Sequence, residues 1–379
     1  SGAVIALGPG FYEGNIAISK PLTLRASGKG VVIHGDGTGS VITVTASYVT
    51  VDGLTIENSG PKHQTVDAGI TVRGADNVKI LRNRIRDCLF GINFEQTNRS
   101  VIEDNDITSL PVSLGLKGDG IRLWYSHGNL IRMNRTRYVR DNVFWYSSAN
   151  KIYENSGADS RYSLHFMYAD RNEILSNDYR RNSVGIFLMF SQGSTLKRNF
   201  VADSTGPFGI GIGMKESSDI LVEENQILYN ARGFYLDSSP YQPGTFNTFR
   251  GNEINFNTTA FLFHGTLLPS LFESNVFKGN IEDVANDTPE SKLEINTWRS
   301  NYWDNYEGFD RNDDGYGDIP HEQWMYADRI WSYLPAAKFF YASPVLDFMN
   351  FLWRLMPFSE PVLLARDARP QIRERGTEK

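Results

Sequence analysis

An asparagine that returns at a fixed interval sets the tightest limit on what this chain can fold into. The unit aliphatic-x-x-Asn-x-aliphatic appears as Ile80-Leu-Arg-Asn83-Arg-Ile85, Ile102-Glu-Asp-Asn105-Asp-Ile107 and Ile174-Leu-Ser-Asn177. Looser copies carry Asn134, Asn155, Asn199, Asn225, Asn252 and Asn275. Asn83 to Asn105, Asn155 to Asn177 and Asn177 to Asn199 are each 22 positions, and longer intervals are expected to hold loops. A second landmark precedes each asparagine: Gly69-Ile70, Gly91-Ile92, Gly120-Ile121, Gly185-Ile186 and Gly233-Phe234. After each glycine the first and third positions are apolar, as in Gly185-Ile186-Phe187-Leu188-Met189. That period of two means strand, with those two positions facing inward.

Each repeat is too short for a strand-helix-strand unit, so the strands must bury their faces by stacking coil on coil, about 4.8 Å apart. A leucine-rich solenoid has a similar period but needs L-x-x-L-x-L before its asparagine, which is missing here. The expected fold is all-β: a right-handed parallel β-helix over residues 1–296, of roughly ten coils. An acidic loop or cap over 297–334 and a helical tail over 335–379 follow. The asparagines themselves read as scaffold, stacked inward and hydrogen-bonded from coil to coil.

Composition narrows the function classes. The net charge of −6 argues against non-specific nucleic-acid binding. A single cysteine, Cys88, excludes an internal disulfide framework and a cysteine-based zinc site; a lone cysteine is more often buried and inert than a ligand. No run of some 18 apolar residues offers a membrane span. The chain opens Ser1-Gly2-Ala3, as it would if an export leader had been removed.

The segment Asn301-Tyr-Trp-Asp-Asn-Tyr306, then Asp310-Arg-Asn-Asp-Asp-Gly-Tyr-Gly-Asp318-Ile-Pro320, then Ser343-Pro344 and a hydrophobic stretch, resembles the NosD family. The opening, Leu7-Gly-Pro-Gly-Phe-Tyr-Glu-Gly14 and Ile18-Ser-Lys-Pro-Leu-Thr-Leu24, is similar to the entry of the carbohydrate-binding and sugar-hydrolase β-helix superfamily. The NosD resemblance covers nearly the whole chain and departs at the start, where leader and first strand are short or missing. It implies a periplasmic, non-enzymatic protein that assists copper-site assembly in nitrous oxide reductase. The implied partners are an ABC transporter permease and ATPase, a copper-donating lipoprotein chaperone and the reductase itself. Association with the inner membrane would run through the transporter.

Three groups of residues are candidates for chemistry. Aligned on their asparagines, Trp124, Trp145, Met167 and Met189 form one outward column, with His165 two residues before Met167 on the same face. His264 occupies the corresponding outward position several coils later, and Met214 could extend the cluster. Thioether and imidazole are soft and borderline ligands, a set that selects Cu(I) over Zn²⁺, Ca²⁺ or Mg²⁺. The plainer alternative is a greasy patch for a protein partner. Next, Asp310, Asn312, Asp314, the Tyr316 carbonyl and Asp318 follow the start of an EF-hand loop around Gly315, which suggests Ca²⁺. The twelfth position is His321 instead of glutamate, so the motif is incomplete. Last, Ser343 and Pro344 open a helix with Val345, Phe348, Met349, Leu352, Leu355 and Met356 at helical spacing, widened by Phe351 and Trp353. That helix either caps the solenoid or docks on the transporter, and the resemblance favours docking.

The competing class is a polysaccharide lyase or epimerase acting on uronic-acid polymers, for which Asp119, Arg122, His127 and Asp170 would have to converge in one groove.

Overall fold

The computed structural model describes residues 2–288, 290–325, 340, 343–355 and 362–374. The chain winds as a right-handed parallel β-solenoid of about 13 turns. Among the described residues three long sheets run along it, of 15, 13 and 12 strands, and each inner strand of the coils pairs with the strand one coil before and one coil after. Among the described strands pairing is parallel, except where His321–Met325 runs antiparallel to Val362–Asp367; an isolated bridge between Tyr316 and Gln371 is also antiparallel. Strands of two to six residues alternate inward and outward side chains, so the interior fills with stacks of like residues. Phe249, Phe272 and Trp298 stack at 4.8 and 3.9 Å, and Phe277 lies 4.1 Å from Trp303.

The recurring asparagines are buried and form a ladder. Each carbonyl oxygen accepts both the backbone N–H and the side-chain amide of the asparagine one coil earlier. Asn155 gives these bonds to Asn177 Oδ1 at 2.9 and 3.0 Å, and Asn177 donates through Nδ2 to Asn199 Oδ1 at 2.8 Å. The ladder starts where Leu54 donates its N–H to Asn83 Oδ1 at 3.0 Å and continues to Asn301. These bonds satisfy the tight-turn amides that the sheets leave over, inside a core where an orphan would be costly. The landmark glycines have a packing reason too: a Cβ at Gly185 would come within 2.3 Å of Val201 and 2.5 Å of the Gly211 carbonyl on the neighbouring coil.

Two expectations about boundaries need correction. The solenoid does not stop at 296, because Thr297–Arg299 and Tyr302–Trp303 are rungs of the parallel sheets. Nor is everything after 335 a tail. Strand Val362–Asp367 returns to the solenoid, and Asp367 takes the place of the next asparagine. Its carboxylate accepts from Ser300 N at 3.1 Å, Asn301 N at 2.8 Å and Asn301 Nδ2 at 2.9 Å. An acidic side chain can end such a ladder because it only accepts and leaves no amide hydrogen pointing into the next, missing coil. Between the two cap strands, Pro344–Leu355 is helical. Val345, Phe348, Phe351, Leu352 and Leu355 on it are exposed, and Met349 is half-buried. Met356 and the side chain of Trp353 lie outside the described residues. No helix among the described residues is long and apolar enough to cross a membrane.

His321 lies 4.7 Å from Trp303 on the last rung, and burial pushes its imidazole down to about 4. A histidine depressed in the folded state stabilises above its unfolded pKa of about 6.5 and loses that contribution as pH falls toward 4. Asp283, in the same cap, works in the opposite sense. Burial lifts it to about 6 despite amide bonds from Asn280, Gln323 and Asn305, so its contribution fades as pH rises through that range. The two offset each other, and His321→Phe separates them. Between pH 6.5 and 4 the variant is expected to gain on the parent by about 2–3 kcal/mol, read as the difference between their denaturation midpoints at each pH. A constant difference across that range would contradict the buried neutral imidazole.

Candidate functional site

The outer face of the 12-stranded sheet holds the outward column. Strands Ile121–Trp124, Asp141–Trp145, Tyr162–Met167 and Val184–Met189 place Trp124, Trp145, Met167 and Met189 in direct register, followed by Lys215, Asp237 and His264. A parallel column two residues earlier runs Arg122, Val143, His165, Phe187, Gly213 and Tyr235. His165 therefore stands diagonally below Met189, and its Nε2 comes within 3.2 Å of Met189 Sδ. Met167 is half-buried on the coil between Trp145 and Met189.

The other side of the imidazole is held by residues that sequence reasoning did not single out. Nδ1 lies 3.7 Å from Asp141 Oδ2, and the ring stacks on Tyr162 at 4.6 Å and 15°. Asp141 is buried; burial raises its pKa, but Arg161 and His165 more than offset this and keep it below the ordinary carboxylate value. Arg161 grips it through Nε at 2.8 Å and through Nη2, and lies over Tyr162 at 5.1 Å. The available signal was in the sequence: Asp141-Asn142-Val143 replaces the usual Gly-aliphatic landmark, and the register shifts there between the two coils. Irregularities of this kind commonly re-aim a side chain. Val184, Phe187 and Ile210 pack with Tyr162, Met189 and Tyr235 as an outward apolar cluster around the pair. Phe187 lies across Gly213, where a Cβ would come within 2.2 Å of the ring.

The arrangement suits a soft cation. Donors that share one ion through bonds of roughly 2.0–2.3 Å stand roughly 3–4 Å apart, which the His165–Met189 separation matches. A carboxylate behind the far nitrogen is the usual device for orienting a metal-binding imidazole. No group of three or more His, Cys, Asp or Glu that could hold a metal gathers among the described residues; the donor set here rests on thioether sulfur instead.

Other candidates separate from this pair. Met214 is fully buried and in register with Leu188, so it is a core residue and not a ligand. The extra residues of that repeat form the loop ahead of Ile210–Lys215, which leaves Met214 third after Gly211, an inward position. His264 sits in the Met189 column but three coils on, with Nδ1 2.7 Å from Asp287. Cys88 is buried, and burial pushes its thiol up to about 12. In the acidic loop, Asp310 accepts from Gly315 N at 2.8 Å, Asp314 from Tyr316 N at 2.9 Å and Asp318 from Arg311 N at 2.8 Å. Asn312 Oδ1 accepts from Asp314 N at 3.3 Å. Arg369 pairs with Asp314 at 2.8 Å, holds its carboxyl below the ordinary value and lies over the Tyr316 ring.

The four residues of the sugar-enzyme reading divide between two places. Asp119 is buried against Arg140 at 3.0 Å and pushed up to about 6 by burial, while Arg122 donates to Asn93 at 2.9 Å. His127 and Asp170 lie past the next corner, where they accept backbone N–H groups from Ser148 and Gln192 at 3.1 and 2.9 Å. No common groove unites an acid, a base and a neutralising group among them.

Comparison with known proteins places the chain among relatives. A family model described as periplasmic copper-binding protein (NosD) matches residues 108–308, and one described as right handed beta helix region matches 23–134. A Pseudomonas aeruginosa protein named probable ABC transporter binding protein NosD is 28% identical over 400 residues, covering 97% of this chain and 88% of the relative. The protein of the same name from Stutzerimonas stutzeri is 28% identical over 380 residues, covering 92% and 82%. The A-module of the Azotobacter vinelandii mannuronan C-5 epimerase AlgE6 superposes with a TM-score of 0.56 at 17% identity, covering 78% of this chain and 91% of that one. At that identity the likeness is one of fold.

Proposed function

Because this chain belongs to the NosD family of periplasmic copper-binding proteins, we propose that it is a periplasmic copper-binding accessory protein that works with an ABC transporter in assembling the copper sites of nitrous oxide reductase. The transporter association is supported by relatives named ABC transporter binding proteins. The reading carries no enzymatic step. A copper-donating lipoprotein would supply the ion and the reductase would receive it.

We assign Cu(I) to His165 and Met189, with Met167 as the neighbouring thioether. The observation that carries this is the 3.2 Å approach of His165 Nε2 to Met189 Sδ on a half-buried face. Asp141 faces Nδ1 and so favours the tautomer that leaves the Nε2 lone pair free for the metal. Tyr162 limits rotation of the ring by stacking on it. Few ligands, two of them weak thioethers, suit a protein that must release its ion. Trp124 and Trp145 continue the column as an apolar rim of the kind found at protein interfaces.

The test is a Cu(I) titration against a competing chelator. Met167→Leu with Met189→Leu keeps volume and apolarity and is expected to weaken binding at least about tenfold. Asp141→Asn is expected to cost about tenfold through the imidazole alone. Unchanged affinity in the double variant would remove the thioethers from the site and leave the column as a partner-binding patch.

A further inference from the structure

The interior of the solenoid is apolar along most of its length, but not beneath the strands that present Asp141 and His165. The inward position of the 13-stranded sheet is Ile85, Ile107, then Thr136, Gly157, Tyr179, and then Val201 and Ile227. Tyr179 is fully buried, and its hydroxyl has no hydrogen-bond partner. Its ring fits because the coil before it carries Gly157, where a Cβ would lie 2.9 Å from the ring and 2.8 Å from the Ser163 hydroxyl, itself buried without a partner.

Tyr179 lines an internal cavity with Thr136 and Asn142, with room of about 10 Å³ for the centre of a water molecule. A cavity of that size admits one water, which needs two to four polar partners. Those partners are present. Thr136 Oγ1 accepts from Asn142 Nδ2 at 3.0 Å and still has its own proton to give. Asn142 Oδ1 accepts from Ile121 N at 2.9 Å and keeps a second lone pair. The Tyr179 hydroxyl can either give or accept. By contrast Asn134 and Asn155, which also line the cavity, spend their amides on the ladder.

We infer that a single ordered water molecule is bound inside the solenoid among Tyr179, Thr136 and Asn142. It bridges two sheets under the coil where the register shifts between Asp141/Val143 and Tyr162/His165. The inference does not depend on copper binding.

Tyr179→Phe distinguishes a wet cavity from a dry one by sign. In a dry cavity the phenol is an orphan, and removing it raises stability. With the water bound, the substitution breaks one of its bonds and is expected to lower Tm by about 1–3 °C. A high-resolution crystal structure of the parent is expected to show a density peak within hydrogen-bond distance of Tyr179 Oη and Thr136 Oγ1, absent in the variant. A higher Tm in the variant, or no peak in the parent, overturns the inference.

Discussion

Asp367→Ala is expected to destabilise the last coils by about 3–5 kcal/mol. The carboxylate is buried and accepts from Ser300 N, Asn301 N, Asn301 Nδ2 and Arg369 N, at 2.8 to 3.1 Å. Alanine takes the acceptor away from Asn301's two donors, which are buried beside Trp298 and Trp303. Coils touch only their neighbours, so the loss should appear locally before it spreads. Hydrogen exchange of amides near Asn275 and Asn301 should accelerate most, and those near Asn105 least. Asp367→Asn is the informative control, since its amide oxygen can still accept as each ladder asparagine does. It should cost less than the alanine variant, and equal losses in the two would mean that the carboxylate is not acting as the terminal rung.

Excising residues 326–361 is expected to abolish capture of the transporter while leaving the solenoid folded. Met325 and Val362 are register partners on antiparallel strands, so a two-residue Asn-Gly turn can join them as a hairpin. The excision removes the helix Pro344–Leu355 with its exposed Val345, Phe348, Phe351, Leu352 and Leu355, an apolar surface of the kind that marks an interaction site. The blunter experiment, truncation after Tyr333, would also delete Val362–Asp367 and with it the ladder's end, so loss of binding would then have two causes. Co-purification with the transporter is the readout, alongside a melting curve of the solenoid. Undiminished capture by a protein lacking the helix would end the docking role for this segment.

The solenoid was legible because its asparagines, glycines and alternating apolar positions report the same periodic geometry. The asparagine count yields roughly ten coils where the structure has about 13, because the ladder residue of the early coil is Leu54, which carries no asparagine signal, and because Asn301 adds a further rung. The Met167–Met189 column and its shared face with His165 followed from counting in twos. Met214 is ambiguous in the sequence because the extra residues between Asn199 and Asn225 can lie on either side of its strand; its place third after Gly211 resolves the direction. Asp141, Arg161 and Tyr162 are harder to single out: Asp141-Asn142 in place of the Gly-aliphatic landmark marks an irregular coil, but cross-coil pairing is needed to show which side chains it re-aims. The return of Val362–Asp367 was out of reach for a different reason. Its partner strand, Thr297–Arg299, is far away in the chain, and a lone aspartate gives no periodic signal.

Because the sheets are continuous, the column of Met189 and the cap are joined by a whole number of identical steps. Five spacings separate Thr195–Lys197, on the same turn as Met189, from Val362–Asp367, or roughly 24 Å at 4.8 Å each. The shaft thus behaves as a graduated ruler between two fittings. Inserting or removing one complete turn between them would change their separation by one notch without altering the packing of either end, whereas inserting part of a turn would rotate one fitting relative to the other.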